Sequence, residues 1–249
     1  ISGLSYAGTL GNIAGTMISG PITTATFPVF SKLIADNNQD EFEHEFSKYS
    51  NIVCFFMCPI SIAMLFHAKD IVQFIFEHGK FGDAASQIVW ESMACYAIGI
   101  VPLGLQTYLI RGYYAMQDTK TPIKINVFSL ICNIALNLAT VKKWKHAGIA
   151  MSTSISYAIA YMLLSYCLQK KHQIKSVKEI SKGMVINIIL SIIPGMISFL
   201  IFNFWISLDA LFIKLFLEMT LFAAVYLIVI GITNRRILTT AVQIIKKQL

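Results

Sequence analysis

The chain has 249 residues, of which 56% are hydrophobic and only 13% are charged. Soluble domains carry about 25% charged residues, so the composition excludes a soluble globular fold and indicates an integral membrane protein. The formal net charge is +7, but the Lys and Arg residues lie at the ends of apolar runs. This placement favours anionic phospholipid headgroups over nucleic acid as the partner.

Long apolar runs predict seven membrane-spanning helices. Each run has the length of about 20 residues needed to cross the hydrocarbon core of a bilayer. None shows the alternating pattern of a membrane β-barrel strand. The expected fold class is therefore an all-α polytopic membrane protein. In chain order, the predicted spans are 3–30, 49–67, 84–114, 122–141, 147–169, 183–205 and 208–233.

Two polar segments are expected to lie at the membrane surface. Residues 36–50 place Phe42 and Phe46 at helical spacing among acidic residues, which predicts a short interfacial helix between the first two spans. Residues 234–249 form an amphipathic pattern, with apolar residues on one face and basic residues on the other. This tail is expected to lie on the membrane surface.

The distribution of basic residues predicts the orientation. Fourteen of the twenty Lys and Arg residues fall on the side that carries the C-terminus. Because basic loops stay on the cytoplasmic side during insertion, the C-terminus is predicted to be cytoplasmic. With seven spans Ile1 then lies outside, without an initiator Met or a cleavable signal, so we expect the chain to be a piece of a longer protein.

Polar side chains inside the predicted spans are candidates for a substrate cavity. Glu218 is the deepest acidic residue, and Lys214 lies one turn earlier on the same face of the last span, where it could pair with it. Asn126, Asn133 and Asn137 share one face of the fourth span. Hydrogen bonds between helices and the wall of a hydrated cavity are both possible interpretations of this face.

No residue pattern indicates catalysis, so an enzyme is not expected. The loops lack paired acidic residues, a Gly-rich phosphate loop and a nucleophile elbow. The five cysteines all lie within apolar runs, which favours packing over metal ligation or disulfide bonds. Neither a metal nor a cofactor is expected.

An ordered set of short motifs resembles the MurJ/MviN family of lipid II flippases. The stretch YYAMQDTKTP (113–122) is similar to a signature of that family. The stretches PVFSK (28–32), FEHGKF (76–81) and KHAG (145–148) resemble further family motifs, in the same order, and KHAG resembles the family's short turn before the next helix. Together the matches extend over essentially the whole chain.

The resemblance implies the fold of the MOP exporter superfamily, with this chain similar to its C-terminal lobe alone and the N-terminal lobe missing. Residues 1–182 would form a bundle of about five helices, 183–233 a terminal helix pair with a lipid-tail groove, and 234–249 the cytoplasmic tail. The implied function is translocation of lipid II, an undecaprenyl-pyrophosphate-linked peptidoglycan precursor, or a related lipid-linked glycan, across the bacterial cytoplasmic membrane.

The charged motif after the third span is interpreted as a tight cytoplasmic turn. Asp118, Lys120 and Pro122 would form this turn, because proline favours the start of a new helix. Arg111 and Lys124 flank it at headgroup depth. There they could anchor the lobe or meet the substrate pyrophosphate, and anchoring is favoured.

The first span departs from the family pattern. The family's eighth helix usually begins Tyr-Ala-Asp-Arg-Leu, whereas Gly8 and Thr9 replace the two charged residues here. Tyr6, Thr9 and Asn12 remain as polar candidates for the cavity wall. The lost charges leave two alternatives open: another MOP-type exporter of lipid-linked oligosaccharides or drugs, and a truncated, non-transporting remnant or scaffold.

Overall fold

The computed structural model of the chain describes residues 2–76, 83–205 and 210–233. Within these ranges the chain is helical and has no strand, which confirms the all-α fold class. A π-helical turn, Ile201–Trp205, continues the sixth helix. The helices are α1 (Ser2–Ala35), α2 (Gln39–Phe66), α3 (Ala68–Phe76), α4 (Asp83–Ala115), α5 (Lys120–Lys171), α6 (Val177–Leu200) and α7 (Leu211–Thr233).

Five of the described helices, α2, α4, α5, α6 and α7, are long and apolar enough to cross a membrane. Helix α5 has 52 residues and divides at Lys145, whose backbone angles (φ 46°, ψ −125°) are not helical. It therefore has two limbs, 120–144 and 146–171, and the break coincides with the turn expected from the KHAG motif. Helix α1 has 34 residues but is rich in Gly, Ser and Thr, and is not among the five.

The two limbs of α5 run antiparallel and contact each other through small polar residues. Thr140 Oγ1 lies 3.1 Å from Ser152 Oγ, and Ser129 donates a hydrogen bond to the Ser156 carbonyl at 2.7 Å. At Gly148, a Cβ would lie only 3.0 Å from the Thr140 carbonyl oxygen. Such small residues allow membrane helices to approach closely.

An aromatic cluster lies where α1, α2 and α4 meet. The ring of Phe30 lies 5.3 to 5.9 Å from those of Phe42, Phe46 and Tyr108, and the Tyr108 hydroxyl donates to the Phe46 carbonyl at 2.7 Å. Phe42 and Phe46 are fully buried. The predicted interfacial helix at 36–50 is therefore wrong: residues 39–50 form the beginning of α2, and their aromatic face packs against protein.

Helices α6 and α7 form the terminal pair and pack against α2. Phe55 and Tyr226 belong to a buried apolar cluster shared by α2 and α7, and the Tyr226 hydroxyl donates to the Phe55 carbonyl at 2.6 Å. Helix α6 begins at Val177, six residues before the start of the predicted segment 183–233, and the division into a bundle and a terminal pair stays a prediction. The tail 234–249 and most of the FEHGKF motif lie outside the described residues.

Candidate functional site

An open, uncharged groove lies between α4 and the two limbs of α5. Its volume is about 250 Å³. Its walls combine amide and hydroxyl groups with a larger apolar surface, and none of the lining side chains is charged. The lining residues are Gln106, Asn126, Ser129, Leu130, Asn133, Thr153, Ser156 and Tyr157.

The asparagines predicted to share one helical face lie in this groove or beside it. Gln106 donates to Asn126 Oδ1 at 3.0 Å, and Asn133 donates to Thr153 Oγ1 at 3.4 Å. Asn137 donates to Asn133 Oδ1 at 3.1 Å. Asn126 and Asn133 thus make hydrogen bonds between helices and also line the groove, whereas Asn137 supports Asn133 from one turn away.

The candidate residues of α1 lie on an exposed face of that helix. Tyr6, Thr9 and Asn12 are all exposed, while Gly11 is buried against α4. A Cβ on Gly11 would lie 3.3 Å from the side chain of Tyr96. The three candidates do not line the α4–α5 groove. The structure therefore places the predicted cavity residues of α1 and those of α5 on two separate surfaces.

The turn between α4 and α5 is built around the Asp118 carboxylate. Its Oδ1 accepts from the Thr121 backbone N–H at 3.1 Å, and its Oδ2 lies 2.7 Å from Lys171 Nζ and 3.0 Å from His172 Nε2. Desolvation opposes ionisation, but these hydrogen bonds together outweigh it and hold the pKa of Asp118 well below its ordinary value. The carboxylate thereby ties the two ends of the α5 hairpin together.

The other residues of the turn motif surround this carboxylate. Lys120 and Lys124 are exposed at the start of α5. Pro122 is buried in the first turn, where its missing N–H leaves no helical hydrogen bond unmade. Arg111 is half-buried near the end of α4, and within the described part of the chain it pairs with no acidic side chain. Both expected roles of Arg111 therefore stay predictions.

A buried ionic cluster lies where α2, α3, α6 and α7 meet. The side chains of His67, at the end of α2, and Glu218, on α7, are fully buried, with Nδ1 and Oε2 3.1 Å apart. Lys214 Nζ lies 3.1 Å from each carboxylate oxygen of Asp70, on α3, and 3.7 Å from Glu218 Oε1. Glu218 therefore belongs to a closed cluster and does not line the groove.

Sequence reasoning found only half of this cluster. The Lys214–Glu218 pair follows from the spacing of one helical turn and is confirmed. His67 and Asp70 lie far away in the sequence, and nothing in their local pattern marks them as partners of α7. Only the packing of α7 against α2 and α3 brings the four side chains together.

Comparison with known proteins points to one family. The family described as lipid II flippase MurJ matches residues 1–222. The chain is similar to the lipid II flippase MurJ of Burkholderia cenocepacia, with 28% identity over 171 residues, or 69% of this chain and 33% of the relative. It is 25% identical to the probable lipid II flippase MurJ of Buchnera aphidicola subsp. Schizaphis graminum over 255 residues, or 100% of this chain and 49% of the relative.

The chain thus spans about half or less of the length of the curated relatives it matches. A solved structure, "Lipid II flippase MurJ, inward closed conformation", shares its fold with a TM-score of 0.79 and 24% identity, covering 96% of this chain and 48% of the other. The apolar helices make this a multi-pass membrane protein. Because the family matches 222 of its 249 residues, the chain belongs to the lipid II flippase MurJ family.

Proposed function

We propose that this chain is one lobe of a lipid II flippase in the bacterial cytoplasmic membrane. The flippase would move the undecaprenyl-pyrophosphate-linked precursor from the inner to the outer leaflet, as a transporter and not as an enzyme. The observation that carries the proposal is the family match across residues 1–222. Because the chain spans about half of its relatives, the proposal includes an N-terminal lobe as its partner.

The exposed face of α1 supports a cavity between the two lobes. Tyr6, Thr9 and Asn12 expose polar groups on a helix that packs its opposite face against α4. The Thr9 hydroxyl is satisfied by the Ser5 carbonyl at 2.9 Å, but the Asn12 amide extends from the helix. An amide is unfavourable against lipid, so this face is better suited to a hydrated cavity or to a second lobe.

The charged turn around Asp118 supports a cytoplasmic position for that end of the lobe. Lys120, Lys124, Lys171 and Arg111 gather there, at the end of the bundle where α7 also finishes if the helices alternate across the membrane. Loops rich in basic residues are retained on the cytoplasmic side. We therefore propose that the C-terminus is cytoplasmic and that Arg111 and Lys124 contact headgroups.

The terminal pair is suited to a polyprenyl tail. Helices α6 and α7 expose large apolar side chains, among them Ile189, Phe212 and Phe216. A hydrocarbon chain, from the substrate or from a phospholipid, would cover this surface. The proposal requires no cofactor, and it leaves the energy to the membrane potential or an ion gradient, as the family resemblance implies.

The proposal is tested by joining this chain to the N-terminal lobe of the Burkholderia cenocepacia relative and producing the fusion in flippase-depleted cells. Lipid II in the outer leaflet is then measured with a membrane-impermeant probe. We expect the probe to reach lipid II again, and Asn12→Leu to reduce the signal more than the neighbouring exposed substitution Ile13→Leu. A fusion that inserts fully and restores no outer-leaflet lipid II would contradict the proposal.

A second candidate is export of a different lipid-linked oligosaccharide or of a drug. The observation that favours it is the uncharged pair Gly8 and Thr9 where the family usually has Asp and Arg. Competition in the same cells tests the second candidate. An added lipid-linked oligosaccharide or drug would reduce lipid II transport only if it enters the same cavity as lipid II. Insertion of the fusion without transport of any substrate would favour the remnant or scaffold.

A further inference from the structure

Three side chains that can bind a metal ion meet in the buried ionic cluster, and each comes from a different helix. His67 lies at the end of α2, Asp70 in the first turn of α3 and Glu218 on α7. One ligand atom from each residue, an imidazole nitrogen or a carboxylate oxygen, lies within 4.8 Å of the other two. Because Glu218 is far from the other two in the sequence, no local spacing predicts this group.

Two of the three side chains are buried without a hydrogen bond at the atoms that could bind a metal. The side chains of His67 and Glu218 are fully buried. Within the described part of the chain, His67 Nδ1 and both carboxylate oxygens of Glu218 have no hydrogen-bond partner. Buried polar atoms without a partner are rare in folded proteins and costly in free energy. These three atoms therefore point to a ligand that they share.

Lys214 does not satisfy these atoms. Its Nζ lies 3.1 Å from each carboxylate oxygen of Asp70 but 3.7 Å from Glu218 Oε1, which is too long for a hydrogen bond. The cluster contains two carboxylates and one ammonium, so the formal charge of these groups favours a further cation. Since Asp70 has two carboxylate oxygens, one can bind a metal ion while the other keeps its contact with Lys214.

The distances between the ligand atoms suit a transition metal ion. Zn²⁺ binds imidazole nitrogen and carboxylate oxygen at about 2.0 to 2.2 Å, which places the ligand atoms of a tetrahedral site about 3.4 Å apart. His67 Nδ1 and Glu218 Oε2 are 3.1 Å apart, and the remaining distances of up to 4.8 Å can be closed by side-chain rotation. An imidazole ligand favours Zn²⁺ over Mg²⁺ and Ca²⁺, which prefer oxygen ligands.

The surroundings provide an orienting contact and an entry path. Ser198 Oγ lies 2.9 Å from His67 Nε2. A hydroxyl can accept or donate at this position, and a metal-binding histidine usually donates its second N–H to such a neighbour. The side chains of Asp70 and Lys214 are 14% and 17% exposed, so an ion can reach the buried ligands from their side of the cluster.

We propose that His67 Nδ1, Asp70 and Glu218 bind one divalent transition metal ion, with Zn²⁺ as the best fit, and that this ion fastens α7 to α2 and α3. A water molecule would supply the fourth ligand. The site forms only when these helices pack together, so binding of the ion stabilises the packed state. The proposal concerns the stability of the lobe and does not depend on what the chain transports.

The test is the unfolding equilibrium of the purified full chain in detergent, without a polyhistidine tag, freed of metal with a chelator and then titrated with Zn²⁺. Once the ion saturates the folded chain, the unfolding constant should fall about tenfold for each tenfold rise in free Zn²⁺. Metal analysis should find one Zn²⁺ per chain. Mg²⁺ at the same concentrations should have no comparable effect, and an equal response would overturn the assignment to a transition metal.

The substitution His67→Gln removes the nitrogen ligand and should make the unfolding constant independent of Zn²⁺. The matched control is His146→Gln, because His146 Nε2 lies 2.9 Å from Glu91 Oε2 in a pair that is partly exposed. This variant should respond to Zn²⁺ as the wild type does. A wild type that does not respond, or an equal response in His67→Gln, would overturn the proposal.

A second variant keeps the proposal testable if His67→Gln does not fold. Asp70→Asn changes the partly exposed ligand and should weaken Zn²⁺ binding by about tenfold or more, since even an indirect partner of a ligand is worth that much. The X-ray absorption spectrum of Zn²⁺ on the wild type should show one imidazole nitrogen among oxygen ligands. Unchanged binding in Asp70→Asn, or a spectrum without imidazole, would overturn the proposal.

Discussion

The buried ionic cluster and the α4–α5 groove are two sites with polar side chains in a largely apolar lobe, and they differ in charge and in access. The cluster holds His67, Asp70, Lys214 and Glu218 in a closed junction between four helices. The groove is open and its walls are uncharged. Polar residues within the spans therefore either hold helices together or present an accessible surface, and an acidic residue deep in a span does not by itself mark a cavity.

The largest effect is expected from Glu218→Ala in the cluster. Removing one partner of a buried charge network typically costs about 3 to 5 kcal/mol, because the other charges stay buried without compensation. Chemical unfolding in detergent measures the loss. The control is Glu91→Ala, whose half-exposed pair with His146 should be worth about 1 kcal/mol or less. Equal losses of unfolding free energy in the two variants would show that burial does not make the Glu218 contacts more stabilising than the partly exposed Glu91 pair.

The next largest effect is expected beside the groove, from Gly99→Ala. A Cβ there would lie 2.6 Å from Ser154 Oγ and 2.9 Å from Ser154 Cα, so α4 and α5 would have to separate. Overpacking of this kind costs about 1 to 3 kcal/mol. Gly231→Ala is the control, since among the described residues no atom outside its own helix lies within 4 Å of its added Cβ. The thermal unfolding temperature should be lower for Gly99→Ala than for Gly231→Ala. An unchanged unfolding temperature of Gly99→Ala would mean that α4 and α5 move apart at little cost in free energy.

A smaller effect is expected from Asp118→Asn at the α4–α5 turn. The variant weakens the contacts with Lys171 and His172, and since Lys171 is half-exposed the loss at neutral pH should be about 1 kcal/mol. Because the folded pKa of Asp118 is lowered, its stabilisation is complete above the unfolded value of about 4 and is lost as the pH falls through the folded value.

Thermal unfolding in acid measures this contribution. The Asp118→Asn curve should be flatter than that of the wild type below about pH 4. Lys171→Met keeps the carboxylate and serves as the control. Parallel acid profiles for the wild type and Asp118→Asn would contradict the assignment of the carboxylate as the tie between the two ends of α5.

The smallest effect on stability is expected in the groove itself, from Asn126→Ala. Asn126 is exposed and accepts one hydrogen bond, from Gln106 at 3.0 Å. Exposed substitutions away from packing contacts usually change stability by about 0.5 kcal/mol or less. A loss as large as that of Gly99→Ala, in the same thermal assay, would show that the groove serves mainly to hold the helices together.

The sequence predicted the elements whose cause is local. Apolar runs of membrane length predicted the helices, and the resemblance of the KHAG stretch to a family turn implied the break found at Lys145. Phe42 and Phe46 show the limit of such reasoning, since an aromatic stripe among acidic residues has the same spacing on a membrane surface as against another helix. The partners of Glu218 show another limit, because the approach of His67 and Asp70 depends on packing between distant segments.

The length of α2 has a mechanical consequence. Its 28 residues, at about 1.5 Å each, make a rod of about 42 Å, whereas the hydrocarbon core is about 30 Å thick. Its first turns therefore extend beyond the lipid, where Glu43 Oε2 accepts hydrogen bonds from the backbone N–H groups of Lys175 (2.8 Å) and Ser176 (2.9 Å). A force on this aqueous end is therefore transmitted along one continuous helix into the membrane. A flexible loop at the same place would absorb the displacement.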